Sequence, residues 1–288
     1  MAANTRDIRR RIKSVKNTAQ ITKAMQMVAA SKMRKAQQLA VDGRPYAKLL
    51  NAISAAVNEA NADEKHPLLQ HREVKKELVI LISTDKGLCG ALNTNLLREA
   101  AKFDPAKTVF VTAGRKGAQW AARTKRDLLA EFHLKDTPTF IETKSISQLA
   151  VEKFLDGTVD KVSVVVTRFV NTLTQEPVTV QLLPVAATPA NAEAMEKLHA
   201  QGGLDVTFEP NAAAVLDALL PYYAHFAVYR AVVEARAAEH SARMVAMKSA
   251  TDNAKSLIKD LTLEYNKVRQ AGITTELLEI TTAQMALG

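Results

Sequence analysis

Two short stretches carry residue types that could do chemistry. Ser83-Thr-Asp-Lys-Gly-Leu-Cys-Gly90 follows the apolar run Leu78 to Ile82, the position at which a mononucleotide-binding fold seats a phosphate. No Gly-Lys-Ser/Thr follows, however, and Gly87 and Gly90 do not make a Gly-x-Gly-x-x-Gly pattern. The preferred reading is a tight strand-to-helix turn in which Cys89 is a small buried residue. Gly114-Arg-Lys-Gly117 likewise has the form of an anion site at a helix start, and a solvated basic turn is again preferred. The six histidines, at 66, 71, 133, 199, 225 and 240, show no ligand spacing, and Cys89 is the only cysteine. Neither a metal centre, nor a cofactor, nor an intrachain disulfide is expected, and a single cysteine fits a reducing compartment. Nowhere do a nucleophile, a base and an orienting group share a short window, so the chain is not expected to be an enzyme.

The elements that hold these stretches have two textures. In the middle, Leu78–Ile82, Val109–Thr112, Val162–Thr167 and Val178–Leu183 read as strands. Helical stretches, Asn93–Lys102, Gly114–Ala122 and Ile146–Leu155, separate the first three. This alternation predicts an α/β domain over residues 75–187 with a largely parallel sheet, the last two strands forming an antiparallel edge. Residues 188–210, with Pro189, Gly202, Gly203 and Pro210, read as a linker or foot.

The flanks are different. From Asn211 to about Met285 no proline follows Pro221 and the only glycine is Gly272. Apolar or small residues recur at alternating spacings of three and four: Leu216, Leu219, Tyr223, Phe226, Val233, Ala237, Met244, Met247, Ala254, Ile258, Leu261, Tyr265 and Val268, with Arg230, His240 and Thr251 as interruptions. Pro221 predicts either a kink or a fresh helix start. A helix over 211–286 would be about 110 Å long, so most of it must leave any globule. The first 60 residues repeat the pattern in Ile8, Ile12, Val15, Ala19, Thr22, Gln26, Ala29, Met33, Ala36 and Ala40, with Ile21, Met25 and Val28 widening the stripe and Leu49 to Val57 resuming it after Gly43 and Pro45. Two such helices predict an antiparallel coiled coil of the termini, slender because its seam is rich in alanine.

Charge is concentrated at one end. Arg6, Arg9, Arg10, Arg11, Lys13, Lys16, Lys23, Lys32, Arg34 and Lys35 face Asp7 alone, which already equals the chain's net charge of +9. An acidic partner is implied. One class of partner is nucleic acid, which would make the chain a basic coiled-coil adaptor, but the first aromatic residue is Tyr46 and no base-stacking side chains accompany the charges. The arginine-rich start could also serve as an organellar transit peptide; the unbroken helical pattern favours a mature segment. The longest apolar run is far short of the roughly 20 residues that cross a bilayer, so a soluble chain is expected.

Four segments then carry a resemblance: Ile21-Thr-Lys-Ala-Met-Gln-Met-Val-Ala-Ala-Ser-Lys-Met-Arg-Lys35, Ser83 to Gly90, Ala242-Arg-Met-Val-Ala-Met-Lys-Ser-Ala-Thr-Asp-Asn253, and Tyr265-Asn-Lys-Val-Arg-Gln270 leading to Ile273-Thr-Thr-Glu276 and Glu279-Ile280. Together they resemble, in order and over the whole chain, the gamma subunit of F-type ATP synthases. The resemblance implies a non-catalytic central stalk, one copy per complex, at the cytoplasmic face of the bacterial plasma membrane. Its partners would be a hexamer of alpha and beta subunits, the epsilon subunit and the c-ring. It further implies that Arg243, Gln270 and Thr274 meet catch loops of the beta subunits and that Met25 faces their acidic lever, with Lys32 and Arg34 on the same basic helix. Phe208 and Glu209 fall where the family meets epsilon and the c-ring. The ending Thr281-Thr-Ala-Gln-Met-Ala-Leu-Gly288 departs from the family's Gly-Ala-rich tail, and the cysteine pair of chloroplast members is absent, so thiol control is not expected.

Overall fold

The computed structural model describes residues 5–43, 45–46, 50, 66–185 and 211–287. The chain divides into two compact units, Met1–Ala29 with Arg243–Gly288, and Ala30–Ala242. Two helices contribute to both: α1 (Thr5–Asp42) and, at the other end, a helix of 76 residues, Ala212–Leu287.

The larger unit is built on five strands. In chain order they are β1 (Glu77–Ile82), α2 (Leu92–Ala100), β2 (Thr108–Ala113), α3 (Arg115–Arg123), β3 (Asp127–Phe132), α4 (Phe140–Leu155), β4 (Lys161–Phe169) and β5 (Gln175–Leu183), followed by the long helix, α5. The sheet order is β3-β2-β1-β4-β5. The first four strands run parallel and β5 is antiparallel to β4, as the sequence pattern predicts. Strand alternation sorts the side chains onto two faces. Leu78, Ile80, Ile82, Val111, Val162 and Val164 pack against Ile146, Ala150 and Phe154 of α4 and against Leu216, Leu220, Ala224, Val228 and Val232 of α5. Val79, Leu81, Phe110 and Val165 face Leu96 and Ala100 of α2 and Trp120 and Ala121 of α3.

Three local results differ from the sequence expectations. β3 is an edge strand whose residues alternate between exposed and half-buried; Asp127-Leu-Leu-Ala-Glu-Phe132 has no β-branched residue and reads as a polar connection. α4 begins at Phe140, earlier than Ile146, because Thr139 and Glu142 form a reciprocal capping box. α5 runs through Pro221 as one helix, so no fresh start occurs there. Its first half also offers the sheet a stripe of every fourth residue, Leu216 to Val232, of which the three-and-four seam contains only Leu216. The described part of the first helix ends at Asp42, and the predicted continuation to Val57 lies largely outside the described residues.

The smaller unit is a two-helix pair. Thr22 and Thr251 meet through their hydroxyls at 2.7 Å, and the Arg9 guanidinium lies 5.7 Å from the centre of the Tyr265 ring. Going down α1 therefore goes up α5, so the pair is antiparallel. Every position of the predicted α1 seam from Ile8 to Ala29 is buried or half-buried. Met247, Thr251, Ala254 and Leu261 are buried on α5, so Thr251 belongs to the seam and does not interrupt it. Ile21 and Val28 are exposed, which makes the stripe narrower than expected: small residues bring the helices close and leave flanking side chains outside.

Candidate functional site

Two surfaces have functional geometry, and the first is the outside of the helix pair. Arg6, Arg9, Arg10, Arg11, Lys13, Lys16 and Lys23 are all exposed, Arg9 at the edge of the seam over the Tyr265 ring. Met25 is half-buried and Arg34 exposed. On α5, Arg243 is half-buried, whereas Gln270 and Thr274 are exposed one turn apart, the Thr274 hydroxyl donating to the Gln270 carbonyl at 3.0 Å. The structure does not gather these residues into one pocket. Gln270 lies about 30 Å along α5 from Thr251, at 1.5 Å per residue, so the expected contacts are strung along a shaft. Phe208 and Glu209 lie outside the described residues. Beyond Val268 every described α5 side chain is exposed, among them Ile273, Leu277, Leu278, Ile280 and Met285.

Inside the pair, the threonines make a short hydrogen-bonded relay. Thr251 also reaches the Met247 carbonyl at 2.8 Å and Thr22 the Ala19 carbonyl at 3.1 Å. With one proton per hydroxyl, one threonine donates across the seam and the other into its own helix.

The second surface lies at the carboxyl ends of β1, β2 and β3, beside the β1–β4 switch point at which a mononucleotide fold would hold its ligand. Here the chain occupies its own donors. At the start of α3 the Arg115 amide donates to Asp85 Oδ1 at 3.1 Å, the Lys116 amide to the Thr84 carbonyl at 3.0 Å and the Gly117 amide to Ser83 Oγ at 2.8 Å. Gly114 adopts φ +113°, and a Cβ added there would stand 2.3 Å from the Ser83 carbonyl oxygen. Both glycines of Gly114-Arg-Lys-Gly117 thus let α3 press onto Ser83. A carboxylate, Asp85, stands where an anion would need to sit. Cys89 is buried beside Asn93, whose amide nitrogen is 3.3 Å from its sulfur.

α5 covers this surface with Arg236, which is only 5% exposed. Its Nη1 donates to Glu239 Oε2 at 2.8 Å and its Nη2 to the Leu134 carbonyl at 2.9 Å, with Asp85 Oδ2 at 3.5 Å. Lys32 of α1 is ion-paired with Asp136. That pairing, through its hydrogen bond, holds the Asp136 carboxyl below the ordinary carboxylate range against the opposing effect of burial, with smaller help from His240 and Arg236. Sequence reasoning placed Lys32 only on a basic surface and missed Arg236, Glu239 and Asp136. The available signal was an Arg and a Glu three residues apart in an otherwise apolar and alanine-rich helix segment. Among the described residues, no group of His, Cys, Asp and Glu is arranged to hold a metal ion.

A family model described as ATP synthase matches residues 4–287. The ATP synthase gamma chain of Opitutus terrae is 53% identical over 294 residues, spanning 99% of both chains. The chain belongs to the ATP synthase gamma-chain family. A second gamma chain, from Methylacidiphilum infernorum, is 50% identical over 292 residues, spanning 99% of this chain and 100% of that one. Among solved structures, the rotor of the Euglena gracilis mitochondrial ATP synthase in rotational state 1 matches with a TM-score of 0.67 at 21% identity, over 93% of this chain and 98% of that chain. The Tetrahymena thermophila mitochondrial ATP synthase, in its central stalk and c-ring structure, gives 0.63 at 24% identity, over 80% and 99%. These distant likenesses speak for the fold, and the gamma-chain relatives for the family. Neither lends support to a nucleic-acid adaptor.

Proposed function

We propose that this gamma-family chain is the central rotor of an ATP synthase, joining the hexamer of alpha and beta subunits to the epsilon subunit and the c-ring. The supporting observation is identity of 53% to a gamma chain across 99% of both chains. Ion flow turns the c-ring, the chain turns with it, and the paired helices present a different face to each beta subunit in turn. Because each beta conformation is favoured by a different face, rotation becomes a sequence of differential contact free energies. The two helices differ in charge, since the exposed basic residues of α1, from Arg6 to Lys35, face Asp7 alone whereas those of α5, from Lys248 to Arg269, are interspersed with Asp252, Asp260 and Glu264, so the faces are unlike.

Within this reading the chain performs no chemistry itself. Arg243, Gln270 and Thr274 meet the beta catch loops, Met25 and the basic surface with Arg34 meet the acidic lever, and Lys32 adds to that surface from within its ion pair. Phe208 and Glu209 meet epsilon and the c-ring. One copy per complex works at the cytoplasmic face of the bacterial plasma membrane, held there by its partners. No helix among the described residues is long and apolar enough to cross a membrane.

Purified alpha and beta subunits mixed with and without the chain test the reading, through particle size and ATP hydrolysis. A stable complex with high turnover is expected only when the chain is present. Arg243→Ala and Gln270→Ala chains are expected to assemble and turn over more slowly. If the chain neither joins the particle nor changes hydrolysis, the rotor reading is wrong.

A further inference from the structure

We infer that Arg236 and Lys32 form a clamp that fixes the angular position of α5 and α1 on the α/β domain by gripping the connection between β3 and α4. The inference rests on the rotor reading and deepens it: a rotor must transmit torque between its sheet domain and its helices. Apolar packing alone does this poorly. The stripe Leu216, Leu220, Ala224, Val228 and Val232 holds α5 on the sheet, but burial is non-directional and leaves a helix able to rock or slide. A buried guanidinium bonded through both terminal nitrogens is satisfied over a narrow range of geometry, and an exposed ion pair such as Lys32–Asp136 adds a looser, weaker tether.

The geometry provides such bonds where they act at a distance from the stripe. Arg236 uses both terminal nitrogens: Nη1 to Glu239 on its own helix, which locks the guanidinium plane, and Nη2 to the Leu134 carbonyl with Asp85 alongside. It thereby ties α5 to the segments that leave β3 and β1. Two residues beyond Leu134, Asp136 takes Lys32 of α1. Both helices are fastened to the same short connection. Asp85 is itself fixed, accepting the Arg115 amide through its other oxygen, so the grip reaches α3 as well. The sheet end beside the position that other mononucleotide-like sheets leave open to a ligand is used here as an anchor. Arg236 and Lys32 are positioning residues that act through the helices.

The test is angular fluctuation in the assembled complex. A gold rod is attached through Lys107→Cys, an exposed position on the sheet domain, with Cys89 buried and so protected from the label; the alpha and beta hexamer is fixed to the surface. The width of the rod's angular distribution during catalytic pauses reports torsional stiffness. With two fastenings acting in parallel, Arg236→Met is expected to raise the angular variance about twofold while hydrolysis at saturating ATP is kept. Arg236→Lys, which keeps the charge but cannot fork, is expected to fall between. Should Arg236→Met fail to assemble, Asp136→Asn removes the charge that holds Lys32, the other fastening, and is expected to widen the distribution by a comparable amount, whereas Asp85→Asn changes one outer contact of Arg236 and is expected to widen it less. Variants that assemble with an unchanged width, even at lower yield, overturn the clamp and leave Arg236 a purely structural residue. An unsubstituted complex that hydrolyses ATP without rotation of the rod removes the rotor reading, and the clamp with it.

Discussion

His225 shows how one residue's surroundings set a condition on the whole fold. It is buried on α5, where its Nδ1 lies 2.8 Å from the Ser147 hydroxyl of α4. Because Ser147 Oγ also donates to the Lys144 carbonyl at 2.9 Å, it accepts from the ring, and Nδ1 carries the proton. Burial pushes the His225 pKa down from its ordinary 6.5, and the neighbouring Lys144 charge pushes it the same way. His66 is also lowered, by burial, with Asp217 opposing. A histidine whose folded pKa is lowered is protonated more readily in the unfolded chain. Its contribution to stability is complete above 6.5 and is lost as pH falls through the lower folded-state pKa. The urea midpoint of the chain is therefore expected to drop from about pH 7.5 to about pH 5.5. In His225→Asn, which has no titrating ring, the drop should be smaller, with the remainder including His66. An equal drop in both proteins would mean that His225 is not the sensor.

At the level of elements, the junction of β1, β2 and α3 depends on close backbone approach. Gly114→Ala places a Cβ 2.3 Å from the Ser83 carbonyl oxygen at φ +113°. A loss of about 2–4 kcal/mol in unfolding free energy is expected from chemical denaturation. A loss below about 0.5 kcal/mol would mean that α3 does not sit against Ser83 in solution. The pattern Gly-x-x-Gly hinted at this closeness but pointed equally to an anion, and only the positions of Ser83, Thr84 and Asp85 decide between them. Elsewhere the sequence was a good guide where a repeat ran long. The α1 seam could be read because Ile8, Ala19, Thr22 and Ala29 obey one period over many turns, and the strands because Leu78–Ile82 and Val162–Thr167 are dense in β-branched or leucine side chains. β3 hid its identity because Asp127-Leu-Leu-Ala-Glu-Phe132 has no β-branched residue and no strict apolar–polar alternation. Of the Arg236 cluster only the pair with Glu239, three residues on, left a trace in the sequence, because its partners at 85 and 134 are remote in sequence and meet only once the sheet is formed.

For the molecule as a whole, the end of α5 contributes nothing to either compact unit's interior. Every described side chain from Arg269 to Met285 is exposed. A chain shortened after Gln270 is expected to keep its thermal unfolding midpoint, with a stability change below about 1 kcal/mol. A larger loss would show that the terminal turns support the fold. Those turns nevertheless carry Leu277 at 58%, Leu278 at 61% and Ile280 at 59% exposure, a cluster of aliphatic side chains that water does not favour. The consequence is felt before the machine exists. A newly made chain carries this sticky end in water, where copies meeting end to end would associate with one another. Under the rotor reading, supply of the chain must therefore stay matched to that of its partner subunits, and surplus copies should be the first to precipitate or be degraded.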